Sequence, residues 1–206
     1  MFFRNLVVGP LATNCYIIGC EETKEAAVID PGAEGRRILA ALREAGLRLR
    51  YIINTHGHGD HIGANSEVKK ATGAEILIHE KDAPMLVNSR SNLMAFTGQP
   101  GGSPEPDRTL REGDKIAVGK SIQLQVIHTP GHTPGGICLL GDGLVFTGDT
   151  LFAGSIGRTD FPGGSFEKLI ASVQEKLFIL DPATAVYPGH GPASTIGTEK
   201  EDNPFF

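Results

Sequence analysis

Thr55-His56-Gly57-His58-Gly59-Asp60-His61 decides how the rest of the chain is read. Within the six residues 56–61 it offers four strong metal donors, three imidazoles and a carboxylate. The apolar run Tyr51-Ile52-Ile53 before it predicts a strand that delivers the cluster, and the glycine between His56 and His58 lets the backbone turn tightly. Three further donors wait downstream in glycine-rich settings. His132 lies in Thr-Pro-Gly-His-Thr-Pro-Gly, Asp149 in Thr-Gly-Asp-Thr, and His190 in Pro-Gly-His-Gly. Imidazole and carboxylate together suit Zn, Fe or Mn better than Ca or Mg. Seven donors from four segments are too many for one tetrahedral ion and about right for two. A two-metal hydrolytic centre is the first expectation.

The donors divide by chemistry. His56 and His58 with His132 would form a three-histidine site whose open fourth position holds water. Asp60, His61 and His190 would form the second site, and the carboxylate of Asp149 would bridge the two cations. Taken singly, each has an ordinary explanation: Asp60 as a helix N-cap, Asp149 as the cap of a turn, His190 as a loop histidine. Taken jointly these explanations fail, because five of the seven histidines fall in the pattern and each distal donor follows an expected strand and a glycine. His79 and His128 stand at strand ends and read as hydrogen-bonded structural residues. Asp30, ending a strand before Pro31-Gly32, reads either as a carboxylate orienting an imidazole from behind or as a turn residue bonding its own backbone.

Composition narrows the class. With 206 residues, 40% hydrophobic and 21% charged, the chain can bury a substantial core and is not a disordered one. A net charge of -5 argues against a general nucleic-acid binder. The three cysteines, Cys15, Cys20 and Cys138, have no Cys-x-x-Cys spacing and do not form a disulfide framework. With no signal-like or membrane-spanning segment in the sequence, they point to the cytoplasm.

The periodicity predicts strands at Leu6–Val8, Cys15–Ile18, Ala26–Ile29, Tyr51–Ile53 and Glu75–Ile78 in the first half. In the second half it predicts them at Ile116–Val118, Ile122–Ile127, Ile137–Leu140, Leu144–Phe146 and Ala185–Tyr187. Helices are expected over Glu34–Ala45, about Ile62–Thr72 and Phe166–Leu177. Strands and helices in both halves point to two sheets packed face to face with helices outside. Met85–Arg108, rich in Gly, Pro, Ser and Asn, reads either as a lid over the site or as an ordinary loop.

His56-x-His58-x-Asp60-His61 with His132, Asp149 and His190 resembles the metallo-β-lactamase superfamily, over essentially the whole chain. The resemblance implies an α/β fold, a four-layer αββα sandwich, with the metal site at the edge between two mixed β-sheets. It implies one domain over residues 1–206, without the C-terminal helical domain that helps full-length glyoxalase II enzymes hold glutathione. Asp149 followed by Thr150-Leu151-Phe152, the stretch Gly157-Arg158-Thr159-Asp160-Phe161 and the ending around Asn203-Pro204-Phe205 look like compact bacterial glyoxalase II-like hydrolases.

That branch implies hydrolysis of a small-molecule acyl thioester such as S-lactoylglutathione by a metal-bridging hydroxide. Two divalent ions, Zn and/or Fe with Mn as an option, would serve His56, His58, Asp60, His61, His132, Asp149 and His190. Asp60 would act catalytically, accepting a hydrogen bond from the attacking hydroxide. Arg158 falls at a basic substrate-binding position, although the tyrosine expected just after it is missing; an ordinary surface salt bridge is its other reading. Persulfide dioxygenases share the fold and a similar Gly-Arg-Thr-Asp-Phe stretch. Their single Fe(II) site would map to His56, His132 and Asp149. A β-lactamase is less expected, because its bridging position typically holds cysteine. Relatives that cleave nucleic acid generally add basic surfaces and extra domains, neither of which is expected here.

Overall fold

The structure, a computed structural model, describes residues 1–94 and 103–206. Six strands form the first sheet in the order of the chain: β1 (Phe2–Val8), β2 (Thr13–Gly19), β3 (Glu25–Ile29), β4 (Arg48–Ile53), β5 (Glu75–His79) and β6 (Arg108–Leu110). Its first two pairings are antiparallel and the other three parallel, so the sheet is mixed. The second sheet begins with β7 (Lys115–Val118), β8 (Ile122–His128), β9 (Ile137–Leu140) and β10 (Leu144–Gly148). A small ribbon, β11 (Leu151–Phe152) with β12 (Ser155–Ile156), leads on to β13 (Ala185–Pro188) and β14 (Ser194–Thr195). The order is β14-β13-β10-β9-β8-β7, parallel only between β10 and β13.

Side chains alternate across a strand, so a strand buried on both faces must be apolar at successive positions. Ile17-Ile18, Val28-Ile29, Ile52-Ile53 and Ile76-Leu77 are such pairs, and each splits between two cores. Ile17, Val28, Ile52 and Ile76 pack with Ile38, Leu42 and Val68 from helices α1 (Gly35–Glu44) and, beyond α2 (Gly59–Ile62), α3 (Asn65–Thr72). Ile18, Ile29, Ile53 and Leu77 turn the other way and meet Val126, Leu139 and Phe146 of the second sheet. Ile127, Cys138 and Val145 then face outward against Val173 and Leu177, which follow α4 (Phe166–Ser172), and Ile196 of α5 (Ile196–Asp202). The result is the four-layer αββα order, with three apolar layers between its parts.

Three helical segments differ from the sequence reading. The helix expected over Ile62–Thr72 is two helices, α2 and α3, because the Ala64 N–H bonds the carbonyl of Pro31 at 2.9 Å and the chain bends past the Asp30 turn. The helix from Phe166 is α-helical only to Ser172 and continues as a π-helical turn over Val173–Leu177. Helix α5 went unpredicted, since Ile196 and Glu199 are its only buried residues and it shows no apolar stripe. Its start is set instead by Thr195, whose side chain accepts from the Thr198 N–H at 3.2 Å.

The segment Met85–Arg108 opens within a 3₁₀ turn, Ala83–Val87, and ends where β6 begins. The middle of the expected lid, residues 95–102, lies outside the described residues. No helix among the described residues is long and apolar enough to cross a membrane. All three cysteines are free and buried. Ile53 is fully buried between the sheets, one position before the segment that carries the histidines. Ile53→Ala is expected to cost about 2–5 kcal/mol in urea unfolding, the usual penalty for such a cavity.

Candidate metal centre

Four strands of the sandwich, β4, β8, β10 and β13, run out at one edge. Each delivers donors just past its end: His56 to His61 after β4, His132 after β8, Asp149 after β10 and His190 after β13. All seven sequence-predicted donors meet there. They form three overlapping groups, His56/His58/His132, His56/His61/Asp149 and Asp60/His61/His190, with donor atoms within 4.8 Å of one another. His58 Nδ1 lies 2.9 Å from His132 Nε2, and His61 Nε2 lies 3.3 Å from His190 Nε2. Asp149 stands between the groups, with Oδ1 at 3.3 Å from His61 Nε2 and Oδ2 at 3.5 Å from His132 Nε2. Asp60 Oδ2 is 3.1 Å from His190 Nε2. Asp60 does not cap α2; its carboxylate turns into the site.

The hydrogen bonds behind the rings fix which nitrogen faces inward. His132 Nδ1–H donates to the Arg158 carbonyl at 2.7 Å, and His190 Nδ1–H to the Leu11 carbonyl at 3.0 Å. His61 Nδ1–H donates to Asp30 Oδ2 at 3.0 Å. The Thr55 hydroxyl gives its one proton to the same oxygen at 2.7 Å, so at 3.2 Å it can only accept from His56 Nδ1–H. His56 Nε2 is left buried without a hydrogen-bond partner, and so is Asp149 Oδ1. Asp30 therefore does orient an imidazole from behind, as one of its two readings held. It reaches His56 as well, through Thr55.

Electrostatics separate the two halves. Burial, reinforced by His61, holds His56 well below the usual histidine range, and burial with His132 pushes His58 down to about 3. Both rings are held neutral, and His56 Nε2 has a free lone pair. At His61 burial opposes charge, but Asp60, Asp149 and Asp30 outweigh it and raise the ring well above its ordinary value. Burial likewise opposes ionisation of Asp60 and Asp149, yet His61 and the neighbouring imidazoles keep both carboxyls far below theirs. The carboxylates thus require positive charge among them, and neutral lone pairs and an orphaned carboxylate oxygen face the same space. That donor set fits divalent cations of the Zn or Fe kind.

Several contributors carry no sequence signal because they lie far away along the chain. Thr13 Oγ1 donates to Asp60 Oδ2 at 3.2 Å across 47 residues. Asn14 pins the His190 loop through Nδ2, bonding the Pro188 and Gly191 carbonyls at 3.0 and 2.9 Å. Gly189 admits no side chain, since a Cβ there would collide with Asp149 Oδ1 and approach His61 Cε1 to 2.8 Å. Asp82, absent from the sequence reading, bonds both the His56–His58 segment and the His132 loop. His79 and His128 stay apart from the centre, stacked on each other with centroids 4.1 Å apart.

A cleft of about 580 Å³ opens onto the donors. Leu11, Leu93, Phe152 and Phe161 form its apolar walls, and among the described residues Arg158 is the one Lys or Arg in its lining. The Arg158 guanidinium lies 4.3 Å over the Phe161 ring and grips Asp160 through Nε and Nη2 at 2.9 and 2.7 Å. Arg158 thus lines the cleft while engaged in an exposed ion pair, the second of its two readings.

This fold and edge site define a class, and the comparisons agree. The chain belongs to the metallo-beta-lactamase superfamily, whose family model matches residues 8–190. A curated relative, the hydroxyacylglutathione hydrolase GloC of Haemophilus influenzae, is 40% identical, covering 93% of this chain and 92% of its own length. Among solved structures, the BLEG-1 B3 metallo-beta-lactamase is 35% identical with a TM-score of 0.93, covering 99% of both chains. TTHA1623, in a di-iron-bound form, is 37% identical with a TM-score of 0.89, over 98% of this chain and all of that one. ETHE1 from Myxococcus xanthus is 34% identical with a TM-score of 0.84, over 99% of this chain and 84% of that one. The protein is a metal-dependent hydrolase of this superfamily.

Thr55→Val tests the bonds behind the rings, because it removes the relay to His56 and leaves His132 untouched. Metal affinity in competition with a chromophoric chelator is expected to fall about 10- to 100-fold.

Proposed function

We propose that the protein hydrolyses small acyl thioesters, S-lactoylglutathione or a related acyl-thiol, using two divalent metal ions held by the seven donors. The observation that carries this reading is the convergence of all seven, His56, His58, Asp60, His61, His132, Asp149 and His190, at one edge, where five of them, all but His56 and His61, line a cleft with apolar walls. When bound, a metal pair supplies Lewis acidity and lowers the pKa of water to about 7. His56, His58 and His132 would hold one ion and Asp60, His61 and His190 the other, with Asp149 shared. The 40% identity to a hydroxyacylglutathione hydrolase supports the thioester assignment.

The chain's own groups do the remaining work. Thr13 and His190 hold Asp60 Oδ2, and Oδ1 takes part in neither contact, so it accepts a hydrogen bond from the attacking water. The acyl group lies against Leu11, Leu93, Phe152 and Phe161, which exclude bulk water from the carbonyl. Arg158 contacts the carrier at the rim. As the C–O bond forms and the C–S bond breaks, sulfur leaves as a thiolate. With a thiol pKa of about 8.5, that leaving group needs no dedicated general acid. The products are a carboxylate and a free thiol. The three buried free cysteines support a cytoplasmic setting.

A second reading is a mononuclear iron persulfide dioxygenase using His56, His132 and Asp149, supported by the resemblance of the Gly157-Arg158-Thr159-Asp160-Phe161 stretch. It leaves His58, Asp60, His61 and His190 without a task, and for that reason thioester hydrolysis is preferred.

Purified protein loaded with Zn or Fe is expected to release free thiol from S-lactoylglutathione and to stop on chelation. Metal-loaded protein that releases none, yet opens a β-lactam or consumes oxygen with a persulfide, would overturn the assignment. Asp60→Asn is expected to lower kcat roughly 100- to 10,000-fold, the range for losing a positioned proton acceptor. Asp149→Ala is expected to lose metal occupancy and turnover together, read by metal analysis beside the thiol assay.

A further inference from the structure

Asp82 lies in the turn after β5, where no metal donor is found, yet it bonds two of the loops that carry them. Its own backbone is fixed by the turn: the Asp82 N–H donates to the His79 carbonyl at 3.0 Å, and its carbonyl accepts from Met85 at 2.9 Å. The side chain is fully buried. Oδ2 accepts from the Gly57 N–H, between His56 and His58, at 3.1 Å, and from Thr133 Oγ1, beside His132, at 2.7 Å. Oδ1 accepts from the Gly135 N–H at 2.6 Å. The contacts that hold it are thus three dipoles rather than a lysine or arginine. A carboxylate buried in this way is costly unless every oxygen is satisfied.

The chemistry of these contacts specifies aspartate. Both oxygens act as acceptors, so an asparagine would set its NH2 against at least one N–H or O–H donor. Gly135 is matched to the arrangement, because a Cβ there would come within 2.6 Å of Asp82 Oδ1. The two loops it joins leave different sheets, the first after β4 and the second after β8. One backbone bond, Ile137 N–H to Thr55 O at 2.9 Å, also crosses between them, and Asp82 adds bonds on both sides of that junction. What these loops carry is the close pair, His58 Nδ1 and His132 Nε2, 2.9 Å apart. Asp30 holds His61 of the other half directly and touches this half only at His56, through Thr55, leaving the His58–His132 spacing to Asp82.

We propose that Asp82 is a positioning residue that sets the spacing of His58 and His132, and with it the metal affinity of the three-histidine position relative to the Asp60/His61/His190 position. This rests on the two-metal reading of the centre. Asp82 clamps the His58–His132 pair of one position from behind, whereas Asp30 holds His61 of the other directly and reaches the first only at His56, through Thr55.

The test is stepwise titration of metal-free protein with Co(II) and with Zn(II), against a chromophoric chelator, with metal analysis and the Co(II) visible spectrum as readouts. Wild type is expected to take up two ions per chain. Asp82→Asn is expected to weaken one binding step about 10- to 100-fold and change the cobalt spectrum of that site, with the other step within about twofold. Thr133→Val, which removes a single donor, is expected to weaken the same step by less, and Thr133→Ser to restore it. This pair carries the test if Asp82→Asn does not fold. Unchanged affinities in the variants would overturn the proposal. So would equal weakening of both steps in proportion to lost thermal stability, which is the mark of a merely structural carboxylate. A wild type that takes up one ion would sink the two-metal reading instead. The clamp would then stand only if Asp82→Asn weakened that single ion by the same 10- to 100-fold, and would fall otherwise.

Discussion

Five imidazoles and two carboxylates crowd one edge of this sandwich in groups of three whose donor atoms lie within 4.8 Å of one another, and such a cluster does not hold itself together. Buried imidazoles resist charge, buried carboxylates demand it, and the rings would rotate toward whatever partner they found. The constraint is met by bonds made behind the rings. A single oxygen of Asp30 receives both His61 and the Thr55 hydroxyl, and Thr55 in turn receives His56. Carbonyls of Arg158 and Leu11 fix His132 and His190. Each bond consumes the Nδ1 proton and presents Nε2, so the tautomers are chosen before any cation arrives.

Those supports need rigid attachment, which the sandwich supplies. Strands buried on both faces anchor the segments from which His56, His132, Asp149 and His190 emerge. The termini of β4, β8, β10 and β13 are fixed by the packing of Ile53, Val126, Phe146 and Val186. Close packing transmits such constraints over long sequence separations, as Thr13 and Asn14 illustrate at Asp60 and the His190 loop. The substrate side is built differently. Arg158 pairs with Asp160 in an exposed contact while its backbone carbonyl orients His132, so one residue serves the cleft with its side chain and the centre with its main chain.

Most of the strands and all seven donors were legible in the sequence, because apolar runs and histidine-glycine clusters are local signals. The missed features have causes other than a local apolar pattern. The split between α2 and α3 comes from a bond to Pro31, and α5 is set by a cap rather than by an apolar stripe. Asp82 carries no local signal, since its partners lie 25, 51 and 53 residues away. Asp30 was ambiguous for the same reason: an acid before Pro-Gly bonds its own turn or something distant, and only the fold chooses.

The sequence by itself determined the class of chemistry, through donor types that suit transition metals, and the layer order, through strands apolar at successive positions. Tertiary structure alone decided the grouping of the donors, the nitrogen each ring presents, and the carboxylates that hold them. Side-chain identity sets what a group can bond, but which group it meets depends on loops brought together from two sheets.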